Sequence, residues 1–335
     1  MRSVKTETAQ TVSAVRKKPR RRNVLYSKKA APYLFTAPFI ISFLVFFLYP
    51  IISVFIMSFQ RILPGEITFV GFSNYTALLN PTFYTALFNT LEYTFWTLIV
   101  LIPVPLLLAV ILNSKLVRFR NVFKSALFVP ALTSTIVAGI IFRLMFGEMN
   151  TSLANELMMK LGASPQNWLN NKGTGMFLMV LLASWRWMGI NILYFLAGLQ
   201  NVPKELYEAA EIDGASTWKK FRHITLPFLK PVSVYVLTIS IIGGFRMFEE
   251  SYVLWQNNSP GNIGLTLVGY LYQQGLAYNE MGYGAAIGIV LLLVILLVSL
   301  VSLKLSGSFK GRDKRCVTIT CFPCTESRLP CFLSC

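Results

Sequence analysis

The sequence predicts an all-α membrane protein with six transmembrane helices. Its 335 residues are 54% hydrophobic and only 13% charged, against about 25% charged in an ordinary soluble domain. So much apolar surface requires an apolar solvent. Runs 33–59 and 283–303 contain no charged residue. A helix rises about 1.5 Å per residue, so roughly 20 apolar residues cross a hydrocarbon core of about 30 Å.

Six spans follow from this measure, near 33–59, 84–112, 122–147, 175–199, 231–255 and 283–305. Spanning strands would show alternating segments of about ten residues, and none is present. The first run is too long for a signal-peptide core, and no small-residue cleavage site follows it. Pro38, Pro50, Pro103, Pro105 and Pro130 lie within spans and are expected to kink them. Kinks suit a gated pathway where neighbours satisfy the freed carbonyls, although ordinary packing explains them equally well.

The formal charge of +17 is unevenly placed. An N-terminal arm, 1–32, carries Arg16, Lys17, Lys18, Arg20, Arg21, Arg22, Lys28 and Lys29. Alternate loops repeat the bias, with Lys115, Arg118, Arg120 and Lys124 after the second span and Lys204, Lys219, Lys220, Arg222 and Lys230 after the fourth. The intervening loops are nearly bare. Cytoplasmic loops are enriched in Lys and Arg, so both termini are expected in the cytoplasm of a multi-pass cell-membrane protein. The arm reads as a topology determinant that also meets anionic lipid, and not as a nucleic-acid site.

Loop 200–230 is dense in charge between two apolar runs and reads as two short helices. Asn201 is positioned to cap the first and Pro203 to occupy its first turn. Glu205, Glu208 and Glu211 suit the N-terminal part of that helix. Gly214 suits a left-handed ending. Ser216 is positioned to cap a second helix that stops before Pro227. Small residues allow close approach, and a carboxylate invites a partner's arginine. Spacing alone leaves two readings open: docking on another protein, or resting on the chain's own membrane face.

The order Glu208-Ala209-Ala210, three residues, Gly214, nine residues, Ile224, one residue, Leu226-Pro227 resembles the EAA motif of ATP-binding-cassette importer permeases. FLAGLQNVPKELYEAAEIDGAS (195–216), FRNVFKSALFVPALTS (119–134) and MGYGAAIGIVLLL (281–293) resemble the sugar-importer branch, closest to permeases for arabino-oligosaccharides. The resemblance covers roughly 30–310 and implies a type I, MalF/MetI-like permease fold over 33–310. It implies that 200–230 is the coupling loop, with Glu208 pairing with a basic group, Ala209 and Ala210 packing closely and Gly214 turning the chain, in a motif completed by Ile224, Leu226 and Pro227. The implied partners are a second related permease, a cytoplasmic ATPase dimer and an extracellular solute-binding protein that delivers an oligosaccharide. The outer segment WQNNSPGN (255–262) departs from the Gly-Gly-Pro turn common in the family.

Charged residues Glu92, Arg143, Arg186, Arg246, Glu249 and Glu250 fall inside or at the ends of spans, where such groups face a cavity, a partner helix or the interface. Arg246 and Glu250 stand at i and i+4 and are expected to pair on one helical face. Phe248, Glu249, Tyr252 and Asn191 have sugar-binding chemistry, since aromatic faces stack on C–H faces and carboxylates accept hydroxyl protons. Aromatic residues at helix ends also serve as interface anchors.

No GxxxxGK[ST], GxSxG or HExxH pattern occurs. The chain is therefore expected to be no enzyme and to hold no cofactor, with ATP bound by partner subunits. His223 is the only histidine and has no ligand-spaced neighbours, so no metal site is expected. All five cysteines fall in 316–335, within a tail, 311–335, unlike the rest of the chain. The Cys-rich part is expected to be a frame-shifted or read-through extension. A rival reading, a secondary transporter or channel for a small polar solute, would show inverted repeats or an unwound helix around an intramembrane acid.

Overall fold

A computed structural model describes residues 31–63, 65–114, 117–147, 152–256 and 259–306. Most of the basic arm and the cysteine-rich tail lie outside the described residues. The chain forms two units, 1–56 and 57–335.

In the first unit, α1 (Ala31–Phe43) passes through a π turn (Leu44–Leu48) into α2 (Tyr49–Met57). Pro38 lies inside α1. Pro32–Met57 is apolar throughout, with a hydropathy of 2.7 and none of its most apolar stretch buried.

The second unit opens with a hairpin, β1 (Gln60–Leu63) and β2 (Glu66–Phe69), paired antiparallel, and a short α3 (Ser73–Ala77). The second span is α4 (Pro81–Leu101) followed by α5 (Pro103–Asn113). Asn80 caps α4 by accepting the Phe83 N–H. The third is α6 (Arg120–Leu132) and α7 (Thr135–Met145), bent by 97° at the break between them. The next segment holds α8 (Leu153–Lys160), and α9 (Lys172–Gln200) is the fourth span. Then come α10 (Lys204–Ile212), α11 (Thr217–Lys220), a π turn (Phe221–Thr225), α12 (Leu226–Phe245), α13 (Glu249–Trp255), α14 (Leu267–Tyr272) and α15 (Met281–Leu305). Among the described residues, five helices are long and apolar enough to cross a membrane, or six if the bent pair α6–α7 forms one span.

Two boundaries differ from the sequence reading. The second loop helix does not stop before Pro227. Thr217–Phe245 is one continuous helix. The π turn over 221–225 widens the ladder just ahead of Pro227, which has no N–H to donate and whose ring crowds the carbonyl four residues back. The fifth span ends at Phe245 and not at 255, because residues 246–248 leave helical geometry before α13 begins.

The most buried span is α9, with half of its most apolar stretch covered. It contributes Leu178, Met179 and Leu182 to a core shared with α4, α7 and α13, and Ile192, Phe195 and Leu196 to one shared with α5 and α12. Lipid supplies no hydrophobic drive between helices, so close packing of small residues must hold them. A Cβ on Gly189 would run into the Leu127 backbone carbonyl of α6, and one on Gly198 would press on Leu229 and Val232 of α12. Overpacking typically costs about 1–3 kcal/mol. Gly189→Ala is therefore expected to lower the melting temperature of the purified protein in detergent, and an unchanged value would show that α6 and α9 are not in backbone contact there.

Candidate functional site: a polar cavity and a loop helix

A cavity of about 590 Å³ lies where α12 gives way to α13, a volume in the range of small-ligand sites. Its walls come from α4 (Tyr93, Thr97), α9 (Arg186, Trp187, Asn191, Tyr194) and the α12–α13 junction (Gly243, Gly244, Arg246, Phe248, Glu249, Glu250). The junction lies against α4 because Gly244 packs directly on Thr94, where a Cβ would come within 2.7 Å of the hydroxyl. A larger cavity of about 790 Å³ is walled by Trp96, Val100, Leu127, Phe177 and Trp185. Its apolar lining suits a polyol less well than the smaller, polar one.

Two adjacent carboxylates at the start of α13 reach different helices. Glu250 is buried and accepts from Arg186 Nη1 of α9 at 3.0 Å. Glu249 is exposed and accepts from Thr135 Oγ1 at the start of α7 at 2.6 Å. The expected Arg246–Glu250 pair does not form. The helix is broken between the two residues, so they share no continuous face, and Arg246 has no ion-pair partner among the described residues. The Arg186 guanidinium also lies over the Trp187 ring, 5.6 Å from its centroid. Its Nε is buried without an acceptor among the described residues. Arg186 and Arg246 therefore offer donors, Glu249 an acceptor, and Trp187, Tyr194 and Phe248 flat apolar faces.

The structure separates the four residues singled out for sugar contact. Asn191, Phe248 and Glu249 line the cavity. The Asn191 amide is partly committed, because its Nδ2 donates to the Leu101 carbonyl at 2.9 Å. That carbonyl is free because Pro105, four residues on, has no N–H. Tyr252 lies to one side, its ring tilted against Phe248 (centroids 5.1 Å apart) and edge-on to Tyr272 (5.6 Å). Tyr272 was not legible in the sequence, because it is twenty residues from Tyr252 in a segment with no distinguishing pattern. The Arg186–Glu250 pair was half legible, since two opposite charges in apolar spans call for each other, but their partnership across two helices did not show.

From Asn191, α9 runs on for nine residues, about 14 Å, to Gln200, and α10 follows from Lys204. Asn201 does not cap it. Asn201 ends α9, and its amide donates back to the Ala197 carbonyl at 3.2 Å. Gly214 has φ +71°, and the Ala215 N–H reaches the Ala210 carbonyl at 2.8 Å while the Gly214 N–H reaches Glu211 at 3.0 Å. This is a Schellman ending. Ser216 caps the next helix by accepting the Lys219 N–H. Two side-chain bonds fasten α10 to that helix, Tyr207 to Thr225 (2.9 Å) and Lys220 to Glu211 (2.8 Å). Glu208 and Ala209 remain exposed, Ala210 and Ile224 are half-buried, and Leu226 and Pro227 are exposed. Glu208 makes no ion pair among the described residues. The motif thus straddles two helices that are tied to each other.

A family model described as the binding-protein-dependent transport system inner membrane component matches residues 101–307. The chain belongs to this family. The permease is 85% identical over 311 residues to the arabinooligosaccharides transport system permease protein AraP of Bacillus subtilis (strain 168), covering 93% of this chain and 99% of that one. It is 60% identical over 288 residues to the protein of that name from Halalkalibacterium halodurans, covering 86% and 91%. A crystal structure of a bacterial ABC transporter involved in the import of the acidic polysaccharide alginate shares its fold, with a TM-score of 0.74 at 24% identity over 83% of this chain and 96% of that one. The type I importer permease fold is the one this chain adopts. The rival reading asked for an unwound helix beside an intramembrane acid, and the break before Glu249 supplies one, but family membership decides against it.

Removing one partner of a buried ion pair costs about 3–5 kcal/mol, whereas replacing both by apolar groups is often neutral. Arg186→Met is expected to lower the melting temperature of the purified permease sharply, and adding Glu250→Met to recover most of the loss. Equal or additive losses would show that the two charges do not depend on each other.

Proposed function

We propose that this chain is a transmembrane subunit of an ATP-driven importer of arabino-oligosaccharides. The observation that carries the reading is the 85% identity to AraP across nearly the whole of both chains. The polar, aromatic-walled cavity supports it, because sugars combine hydroxyls for Arg186, Arg246 and Glu249 with C–H faces for Trp187 and Phe248.

In this reading the chain is half of a pathway. A second, related permease completes it, an extracellular solute-binding protein delivers the oligosaccharide, and a cytoplasmic ATPase dimer binds the ATP. The chain itself carries no cofactor and performs no chemistry on the sugar. Both termini and loop 200–230 lie in the cytoplasm, as the Lys and Arg distribution requires. The ATPase pushes on α10, with exposed Glu208 meeting a basic group and Ala209 and Ala210 allowing close approach. Tyr207 and Glu211 then pass the displacement to the helix 217–245, whose far end forms the cavity wall.

The test is uptake of labelled arabinotriose and maltotriose by cells lacking their own permease and complemented with this one. Uptake of arabinotriose is expected, and Glu208→Arg is expected to reduce it to background while the protein remains in the membrane. Unimpaired uptake by the variant would remove Glu208 from the coupling contact. Failure of the unaltered chain to move arabinotriose would remove the substrate assignment.

A further inference from the structure

The segment between the first two spans, 58–80, is not a plain loop. Its hairpin puts Ile62 opposite Ile67 and Gln60 opposite Phe69. Side chains alternate along a strand, and directly paired residues share a face. One face therefore carries Gln60, Ile62, Ile67 and Phe69, and the other Arg61, Leu63, Glu66 and Thr68. The chain covers only the β1 half of the apolar face, leaving Gln60 and Ile62 half-buried. On the β2 side Ile67 is 67% exposed and Phe69 77% exposed, and Phe72 at 71% and Leu79 at 70% are exposed in the same segment. A cluster of uncovered apolar residues within one short segment marks a candidate contact surface.

The position of the hairpin identifies the contact. Gln60 is three residues beyond Met57, where the first apolar helix ends, and three residues reach at most about 10 Å. Leu79 is two residues before Pro81, where the second span begins. The strand β1 is also held against the first turn of the last span, since a Cβ on Gly282 would run into the Gln60 carbonyl. Asn74 clamps the hairpin base by donating to the Ser58 and Gln60 carbonyls at 2.9 and 3.0 Å. The exposed residues thus lie in the short segment that joins the ends of two apolar spans, and the end of a spanning helix reaches the layer in which headgroups and acyl chains join. Aromatic side chains favour that layer, and an amphipathic element lies in it with its apolar face inward.

We infer that the hairpin is a membrane-surface anchor, with Ile67, Phe69 and Phe72 inserted into the headgroup–acyl boundary and Arg61, Glu66 and Thr68 turned to water. The lipid surface completes the apolar face that the chain leaves half covered. The anchor fixes the outer end of α15, against which β1 packs. This inference rests on the multi-pass fold and not on the identity of the sugar.

All native cysteines lie in 316–335, so Cys316→Ser, Cys321→Ser, Cys324→Ser, Cys331→Ser and Cys335→Ser give a background without thiols. In it, Ile67→Cys, Thr68→Cys, Phe69→Cys and Phe72→Cys are each labelled with a nitroxide in the permease reconstituted into nanodiscs of phosphatidylethanolamine and phosphatidylglycerol. Collision rates with oxygen, which concentrates in the bilayer, and with a water-soluble nickel chelate then report depth. The ratio of oxygen to nickel collisions is expected to be severalfold higher at 67, 69 and 72 than at 68. The chelate reaching all four positions equally would overturn the inference. So would 67 and 69 being open to the chelate until purified solute-binding protein is added, since the face would then belong to a protein partner. Phe72, outside the strands, keeps the test informative if labels within β2 disturb the hairpin.

Discussion

In a hydrocarbon solvent a broken helix leaves amides and carbonyls that water cannot satisfy. The organisation of this permease depends on how those groups are paired. Its spans are broken beside the cavity, and side chains from neighbouring helices take up the freed groups. Asn89 Nδ2 on α4 donates to the Asn262 and Leu265 carbonyls at 2.9 and 3.1 Å. Thr90 accepts the Leu267 N–H at 2.9 Å and donates its own proton to Ala86 at 2.7 Å. Thr266 donates to the Met247 carbonyl at the α12–α13 break, and Asn191 covers the carbonyl that Pro105 leaves open. Asn89 and Thr90 of α4 thus pair the irregular backbone of 262–267, and Thr266 ties that segment to the α12–α13 break beside the cavity.

The same logic explains the charges. Glu250 is buried against Arg186 because neither tolerates this environment alone. Consecutive residues of a helix point about 100° apart, so Glu249 and Glu250 at the start of α13 reach two different helices, α7 and α9. The cavity wall is thereby tied to the bent third span and to α9, the most buried helix. In the proposed function, the helix that carries the wall at one end is fastened to α10 at the other, so a load on the cytoplasmic side reaches the cavity through one element.

What the sequence made legible was whatever depends on local composition. Apolar length located five of the spans within a few residues but misplaced the fifth, which runs over Thr217–Phe245, and Gly214 and Ser216 marked their turn and cap because left-handed backbone and an orphan N–H each demand a particular residue. What escaped were properties of pairs distant in sequence. Arg246–Glu250 was the natural local partnership, and the break that prevents it has no strong marker beyond Gly243 and Gly244. Arg186 and Glu250 are 64 residues apart. Asn191 looked available for a ligand because its bond to Leu101 depends on a proline in another span. Pro227 looked like a stop, but a π turn ahead of it carried the helix through. The hairpin at 60–69 also went unread, being too short to show a period.

The central claim is that α4 side chains satisfy the irregular backbone of 262–267, which Thr266 ties to the cavity wall at Met247, and hydrogen exchange tests it most directly. Thr90→Val keeps the shape and removes the acceptor for the Leu267 amide. Measured on the permease in nanodiscs, the peptide spanning 265–270 is expected to exchange faster in the variant while peptides from α9 are unchanged. Equal protection of 265–270 in both proteins would contradict the account.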